Sequence, residues 1–202
     1  MARKIHEQAA RVQRQYQDVF KRNIELEREV AVLRELVELD TLIPELLNRR
    51  GVEKAGKALL AGLSREGDEK RRTGAENVVL VMIDADFLKR FNDEAGHDAG
   101  DEMLRVLGST LRTGIRAGDL AARWGGDEFV VVLPNIAPMT AQVLMERIAA
   151  NFEAHRFRFT CTAVHGISFG IAHTEETKRW KVLLQLADAR MMAHKRWRKR
   201  GR

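Results

Sequence analysis

The chain holds a single cysteine, Cys161, in 202 residues. One thiol excludes an intramolecular disulfide and a CxxC metal site, and it fits a reducing compartment. Long apolar runs are also missing. The longest, VVLVMI at Val78–Ile83, is far shorter than the roughly 20 residues of a membrane-spanning helix. The opening MARKIHEQAARVQRQ is polar with no apolar h-region, so no secretion signal is visible. The expected location is the cytoplasm, with no membrane partner. Neither proline nor glycine occurs before Pro44, which leaves the first segment free of helix breakers. Charge of one sign is scarce outside the C-terminus. Lys and Arg total 35 against 29 Asp and Glu, and the last eight residues, KRWRKRGR, contain six of the basic ones. The basicity is that of a tail, which speaks against a nucleic-acid partner inferred from charge alone.

What is present begins with a heptad. With Asn23 at an a position, the a residues are Ala9, Tyr16, Asn23, Val30 and Val37, and the d residues are Ile5, Val12, Val19, Leu26 and Leu33. About five unbroken heptads predict a coiled coil rather than a helix packed on its own domain. A single Asn at a favours a parallel two-stranded register, because two facing Asn side chains satisfy each other. The flanking charges agree: Arg22 would face Glu27 of the second strand, and Glu29 would face Arg34. Residues 1–39 are therefore read as a dimerisation helix.

Beyond it, residues 41–63 read as a second helix and 64–77 as a polar loop. Val78–Asp84 is a buried strand ending in an acid. Two helices follow, starting near Asp86 and separated by a turn at Gly96–Gly100. LAARWGGDEFVVVLP (120–134) reads as a β-hairpin turning at Gly125–Gly126. A helix over 137–155, one or two strands within 158–173 and a helix over 180–200 complete an α/β domain with a mixed sheet, spanning 40–202.

Asp84, at the end of a buried strand beside a helix start, is placed to hold a divalent cation, and the amides of that helix can take phosphate oxygens. Asp127, at the hairpin tip, would bring a second carboxylate. Mg²⁺ takes few protein ligands and fills its shell with substrate phosphates, so two acids suffice. Lys89, one turn into the helix, is a phosphate partner. Asn92 and Asp101 offer the acceptors and donor that a guanine edge requires. Taken singly, Asp84 as a helix cap and Asp127 as a solvated turn residue explain these acids better than a site does; taken jointly with Lys89, the three favour the site.

RWGGDEF (123–129) together with DADFLKRFNDEAGHDAGD (84–101) resembles the GGDEF family of diguanylate cyclases, which condense two GTP into cyclic di-GMP. The resemblance covers roughly Asp40 to Lys199. It implies a palm-like α/β sheet shared with nucleotide cyclases and polymerases, Mg²⁺ as cofactor with Mn²⁺ as a substitute, and GTP as substrate. It implies that Asp84, the Ala85 carbonyl and Asp127 bind metal. Asp127 would also activate the 3′-hydroxyl, with Glu128 beside it in a supporting catalytic role. Gly125 and Gly126 would let the backbone approach the nucleotide. Asn92, His97 and Asp101 would line the base and sugar pocket, while Lys89, Lys195, Lys199 and the amides of Phe87 and Leu88 would hold phosphates. One subunit supplies half of a two-fold symmetric reaction, so a homodimer is implied. RAGD (116–119) has the spacing of the family's RxxD inhibitory site, where Arg116, Asp119 and Arg147 would bind the product. Input would come through the coiled coil or from an upstream regulatory protein.

The sequence departs from the family pattern in three places. DTLIPELLNRR (40–50) replaces D-x-L-T-G-L-x-N-R. Gly166 replaces the Thr of T-x-S-x-G. The terminal helix keeps Lys195 of its K-x-x-G-R segment but has Lys199 for the arginine. None removes a metal ligand, and activity is expected. A non-catalytic cyclic di-GMP receptor and a nucleic-acid-binding dimer are the competing readings. The first leaves four intact acidic, basic and amide site residues unexplained, and the second leaves all the acidic motifs unexplained.

Overall fold

The computed structural model describes residues 2–63, 75–158 and 165–200; of residues 2–12, 14, 31, 32 and 34–36 it describes the backbone alone. Cys161 and most of the expected 64–77 loop lie outside it. The chain divides into two compact units, Met1–Val37 and Glu38–Arg202.

The first unit is one helix, α1 (Ala2–Leu36). Of its described seam positions, Tyr16, Val19, Leu26, Val30 and Leu33 are exposed apolar side chains. The side chains of Ile5, Ala9, Val12 and Arg34 fall outside the description. Arg22 pairs within its own helix, with Glu25 at 3.1 Å.

The second unit runs β1 (Leu47–Asn48), α2 (Arg49–Leu63), β2 (Val78–Asp86), α3 (Leu88–Ala95), α4 (His97–Gly114), β3 (Leu120–Gly125), β4 (Glu128–Pro134), α5 (Pro138–Glu153), β5 (Gly166–His173) and α6 (Trp180–Arg200). The strands form one sheet in the order β1-β3-β4-β2-β5. Only β1 and β3 are parallel; the other pairs are antiparallel. All nine residues of β2 are buried, as a central strand covered on both faces requires. Alternation sorts them. Val79, Val81 and Ile83 face a core made with α4 and α5, including Met103, Leu107, Met145 and Phe152. Val78, Leu80 and Met82 face α2 and α6 through Val52, Leu60, Trp180, Leu183 and Met191.

The expected helix over 41–63 starts late, at Arg49. Asp40 accepts hydrogen bonds from the amides of Leu42 (3.0 Å) and Ile43 (2.9 Å), closing a turn. Ile43 precedes Pro44, which disfavours helical backbone there. The chain then adds two residues to the sheet, and Asn48 caps α2 by accepting from Gly51 N–H at 2.9 Å. The break between α3 and α4 is Gly96 alone, at φ 88°; Gly100 lies inside α4.

Helix α6 is tied to β5. The Arg190 guanidinium donates to the Ile171 carbonyl at 2.7 Å and to both oxygens of Glu176 at 2.5 and 2.8 Å. His194 Nδ1 accepts from the Phe169 amide at 3.1 Å. The Arg190 hydrogen bonds pull the Glu176 carboxyl from 4.5 down to about 2. Its folded pKa lies below its unfolded one, so the pair stabilises above about pH 4.5 and loses its contribution as pH falls toward 2. Glu176→Gln is expected to cost about 1 kcal/mol at neutral pH, discounted for partial exposure. In urea titrations the variant and wild type should converge at acid pH; a gap that persists there would refute the ion pair as its source.

Candidate active site

The inward column of β2 on the α6 face continues from Met82 to Asp84 and Asp86, both buried. Asp84 lies directly across the ladder from Glu128 of β4 on one side and Ser168 of β5 on the other. Directly opposed residues project to the same face. Glu128 is therefore the cross-strand neighbour of Asp84.

This corrects the hairpin reading. The ladder pairs Gly125 with Glu128, so the two-residue loop is Gly126–Asp127, one position later than expected. The register shifts between Arg123 and Gly125, making Trp124 a bulge residue that absorbs the offset. Gly126 carries the positive φ, 55°, which a glycine adopts without steric cost. Asp127 sits in the turn, and β4 begins with Glu128, so strand alternation does not set the two acids on opposite faces. The turn is held from outside by Arg123, whose Nε donates to the Gly126 carbonyl at 2.9 Å and whose Nη1 lies 3.7 Å from Asp40.

Asp127 still belongs with Asp84. The Ala85 amide donates to the Asp127 carbonyl at 2.9 Å. Burial pushes the Asp84 carboxyl above the ordinary range, and the Asp127 and Asp86 charges push the same way, against the hydrogen bond from Lys195. Glu128 is raised too, by burial and then by Asp127, Asp188 and Asp84. Lys195 Nζ lies 2.6 Å from each Asp84 oxygen. Its pKa is raised, since burial is outweighed by the Asp84 hydrogen bond and the charges of Asp84, Asp127 and Asp86. One ammonium thus stands among Asp84, Asp127 and Glu128, and Asp84 Oδ1 is buried with no hydrogen-bond geometry satisfied. The donor set fits a further cation. Among the described residues no three His, Cys, Asp or Glu side chains form a protein-only metal cage, and a cation that draws most ligands from phosphates needs no such cage.

The turn from β2 into α3 is strained. Phe87 adopts left-handed backbone, φ 66° and ψ 16°, which is unfavourable for a bulky residue and concentrates at functional positions. It redirects the chain from β2 into α3, which begins at Leu88 rather than near Asp86. Lys89 is exposed on the first turn of α3. On the next turn, the Asn92 amide packs against Gly100 of α4, where a Cβ would lie 1.7 Å from Asn92 Oδ1. That oxygen is buried without a hydrogen-bond partner. Asp101 follows Gly100, half-buried, with Arg105 at 3.7 Å, and His97 is exposed at the start of α4. Lys199 is exposed near the end of α6. Among the described residues, apart from the chain neighbours, no atom lies within 4 Å of where a Cβ on Gly125 or Gly126 would sit.

The expected inhibitory residues form a closed turn. Asp119 accepts from Arg116 Nε (3.0 Å) and from its amide (3.1 Å), and Arg116 also donates to the Pro134 carbonyl. Arg147 donates to the Gly114 carbonyl at 3.1 Å.

Sequence reasoning missed several members of this region. Asp188 of α6 and Glu128 line a groove of about 250 Å³ with Met82, Trp124, Leu184 and Gln185. Arg49 stacks over Trp124 at 4.4 Å. Asp86, Ser168 and Arg198 form a further polar cluster. The inward stripe of α6, continued by i+3 and i+4 steps from Met191, would have pointed to Lys195 and Arg198 together.

A family model described as "Diguanylate cyclase, GGDEF domain" matches residues 43–201. The chain belongs to the GGDEF family of diguanylate cyclases. This GGDEF chain is 35% identical over 184 residues to the response regulator PleD of Caulobacter vibrioides, which covers 87% of this chain and 36% of PleD. It therefore spans well under two thirds of that relative's length. In three dimensions it is similar to the GGDEF domain of DgcB from Caulobacter crescentus, solved in complex with c-di-GMP (TM-score 0.69, 25% identity, 79% of this chain and 90% of that one). It is also similar to SiaD from Pseudomonas aeruginosa, solved with its activator SiaC (TM-score 0.70, 27% identity, 96% of this chain and 72% of that one). The five-stranded mixed sheet flanked by helices is the GGDEF fold expected from the motifs. Among the described residues no helix is long and apolar enough to cross a membrane.

Proposed function

We propose that the chain condenses two GTP into cyclic di-GMP with release of two pyrophosphates, acting as a homodimer through α1. The observation that carries this reading is the row formed by Asp84, Glu128 and Asp127, with Lys195 against it, next to the strained entry into α3.

In this reading Asp84, the Ala85 carbonyl and Asp127 hold Mg²⁺, or Mn²⁺ in its place. The cation would neutralise triphosphate charge and make the 3′-hydroxyl more acidic. Asp127 accepts the proton of that hydroxyl, and Glu128 sustains the negative field around it. The 3′-oxygen of one GTP bonds to the α-phosphorus of the other as the bond to the bridging oxygen breaks and pyrophosphate leaves, reciprocally. Lys89, Lys195, Lys199 and the amides of Phe87 and Leu88 hold phosphates. Asn92, His97 and Asp101 face the base and sugar, where side-chain donors and acceptors select guanine. The open space above Gly125 and Gly126 leaves room for the nucleotide. A protein that acts on α1 would supply the input; the structural neighbour SiaD is itself solved in complex with an activator. The test is to incubate the purified dimer with GTP and Mg²⁺; an absence of cyclic di-GMP would sink the proposal.

Product inhibition at Arg116, Asp119 and Arg147 is part of the reading. The exposed Arg116 fork is already aligned by Asp119, which favours planar recognition of a guanine edge or phosphate. Arg116→Ala is expected to weaken cyclic di-GMP binding by about tenfold or more while turnover is retained and no longer stalls as product accumulates. Equal product affinity in the variant would remove the site. A receptor without catalysis would bind product at this turn yet make none.

A further inference from the structure

The stripe seating α6 on the sheet runs through Trp180, Leu183, Ala187 and Met191, and its next inward positions are Lys195 and Arg198. The facing column of β2 changes in step, from Val78, Leu80 and Met82 to Asp84 and Asp86. The helix becomes cationic where the strand becomes anionic. Lys195 meets Asp84. Arg198 meets Asp86, which the reaction described above does not use.

Asp86 is 3% exposed. Ser168 donates to its Oδ1 at 2.8 Å, and Arg198 Nε lies 3.1 Å from its Oδ2. The same guanidinium donates through Nη2 to Glu153 at the end of α5. Gly166 is the residue opposite Asp86 on β5. A Cβ there would lie 2.5 Å from Arg198 Nη2 and 2.7 Å from Glu153 Oε1. The guanidinium and the Glu153 carboxylate together occupy the space that a Cβ at 166 would enter, so a side chain there would have to displace both. Position 166 is the one where the family pattern has Thr, and position 198 is the one where it has Gly, so this chain departs from the pattern at both ends of the contact.

We infer that Arg198 is a positioning residue for the triphosphate site, clamping Asp86 to the ends of α5 and α6, and that Gly166 is the residue that admits it. Asp86 immediately precedes the left-handed Phe87, so holding its carboxylate fixes the turn that presents the Phe87 and Leu88 amides. Arg198 lies three residues from Lys195 and one from Lys199, so the same ion pair sets where α6 delivers both lysines. The effect on GTP rests on the proposed function; the coupling of the two positions does not.

The test is a double-mutant cycle on the full chain with Gly166→Thr, Arg198→Gly and the pair, plus Arg198→Lys. Each variant is read by its unfolding midpoint, by calorimetric binding of an α,β-methylene GTP analogue with Mg²⁺, and by KM and kcat. Each single substitution is expected to weaken analogue binding about tenfold, raising KM more than it lowers kcat. The double variant should recover to within about threefold of wild type, since mutual compensation is non-additive. Arg198→Lys should recover only part of the binding, because an ammonium cannot span two carboxylates as a fork does. Losses that simply multiply in the double variant would overturn the shared-space inference. Singles that lower the midpoint yet bind the analogue like wild type would reduce Arg198 to a structural brace and overturn the positioning role. Failure of the wild type to bind the analogue would overturn the GTP reading, and the midpoint cycle, which needs no ligand, would still decide the clamp.

Discussion

Asp127→Asn should lower cyclic di-GMP formation by on the order of 10³-fold, the scale of several kcal/mol of lost charge stabilisation at a phosphoryl-transfer site. The substitution is nearly isosteric, and the turn it occupies is shaped by the Gly126 conformation and by Arg123, not by the Asp127 side chain. Folding should therefore be unchanged, and the loss should appear in kcat. Glu128→Gln is expected to lose activity as well, by about tenfold or more, because Glu128 opposes Asp84 directly and shares its field. In addition, neutralising either acid relieves repulsion on Asp84, whose raised carboxyl should move back toward its ordinary range. Binding of a divalent cation, followed by calorimetry as a function of pH, should then show a shallower loss on acidification for whichever acid is not a ligand. Full turnover by Asp127→Asn would make the assignment untenable, and an inert Glu128→Gln would show that its place opposite Asp84 carries no catalytic weight.

The second large effect lies in α1. Leu26 and Val30 are adjacent d and a positions, and each leaves more than two fifths of its surface exposed in the single chain. Replacing both by Asp should abolish pairing by placing charges at the centre of the proposed seam. A short tether holds two catalytic units at millimolar effective concentration. At about micromolar protein the paired form should therefore be favoured by about a thousandfold, and its loss should make the rate steeply dependent on protein concentration. Sedimentation should report a monomer, and circular dichroism should show the second unit intact. A double variant that turns over like wild type at every protein concentration would rule out α1 as the source of the dimer.

How far these features could be foreseen differs from element to element. The β2 strand and the α4, α5 and α6 helices announce themselves through runs and periodicity, since their residues are sorted by burial. Asp84 and Asp127 stood out because each lies in a short contiguous motif, 84–101 and 123–129. The hairpin register was not: a Gly-Gly pair permits two turn placements, and the bulge at Trp124 selects the second. The late start of α2 depends on Asp40 and Asn48 acting as caps on either side of Pro44, where a stretch of helix-compatible residues hides the interruption. Phe87 gives no local sign of a left-handed backbone, because its conformation is imposed by the strand and helix it joins. Arg198 and Asp86 are 112 positions apart and become partners only once α6 is laid across β2.

Strand β5 lies at the rim of the sheet, with β2 its only neighbour among the described residues. Such a rim ordinarily offers a row of backbone donors and acceptors to any passing strand, an invitation to runaway association. Here α6 closes it from above: His194 takes the Phe169 amide, and Arg190 takes the Ile171 carbonyl. At the opposite rim, β1 is two residues long, too short to template another strand. Sideways growth is thereby hindered at both margins. The pairing proposed through α1 would then proceed without the edge-to-edge route that leads to polymer.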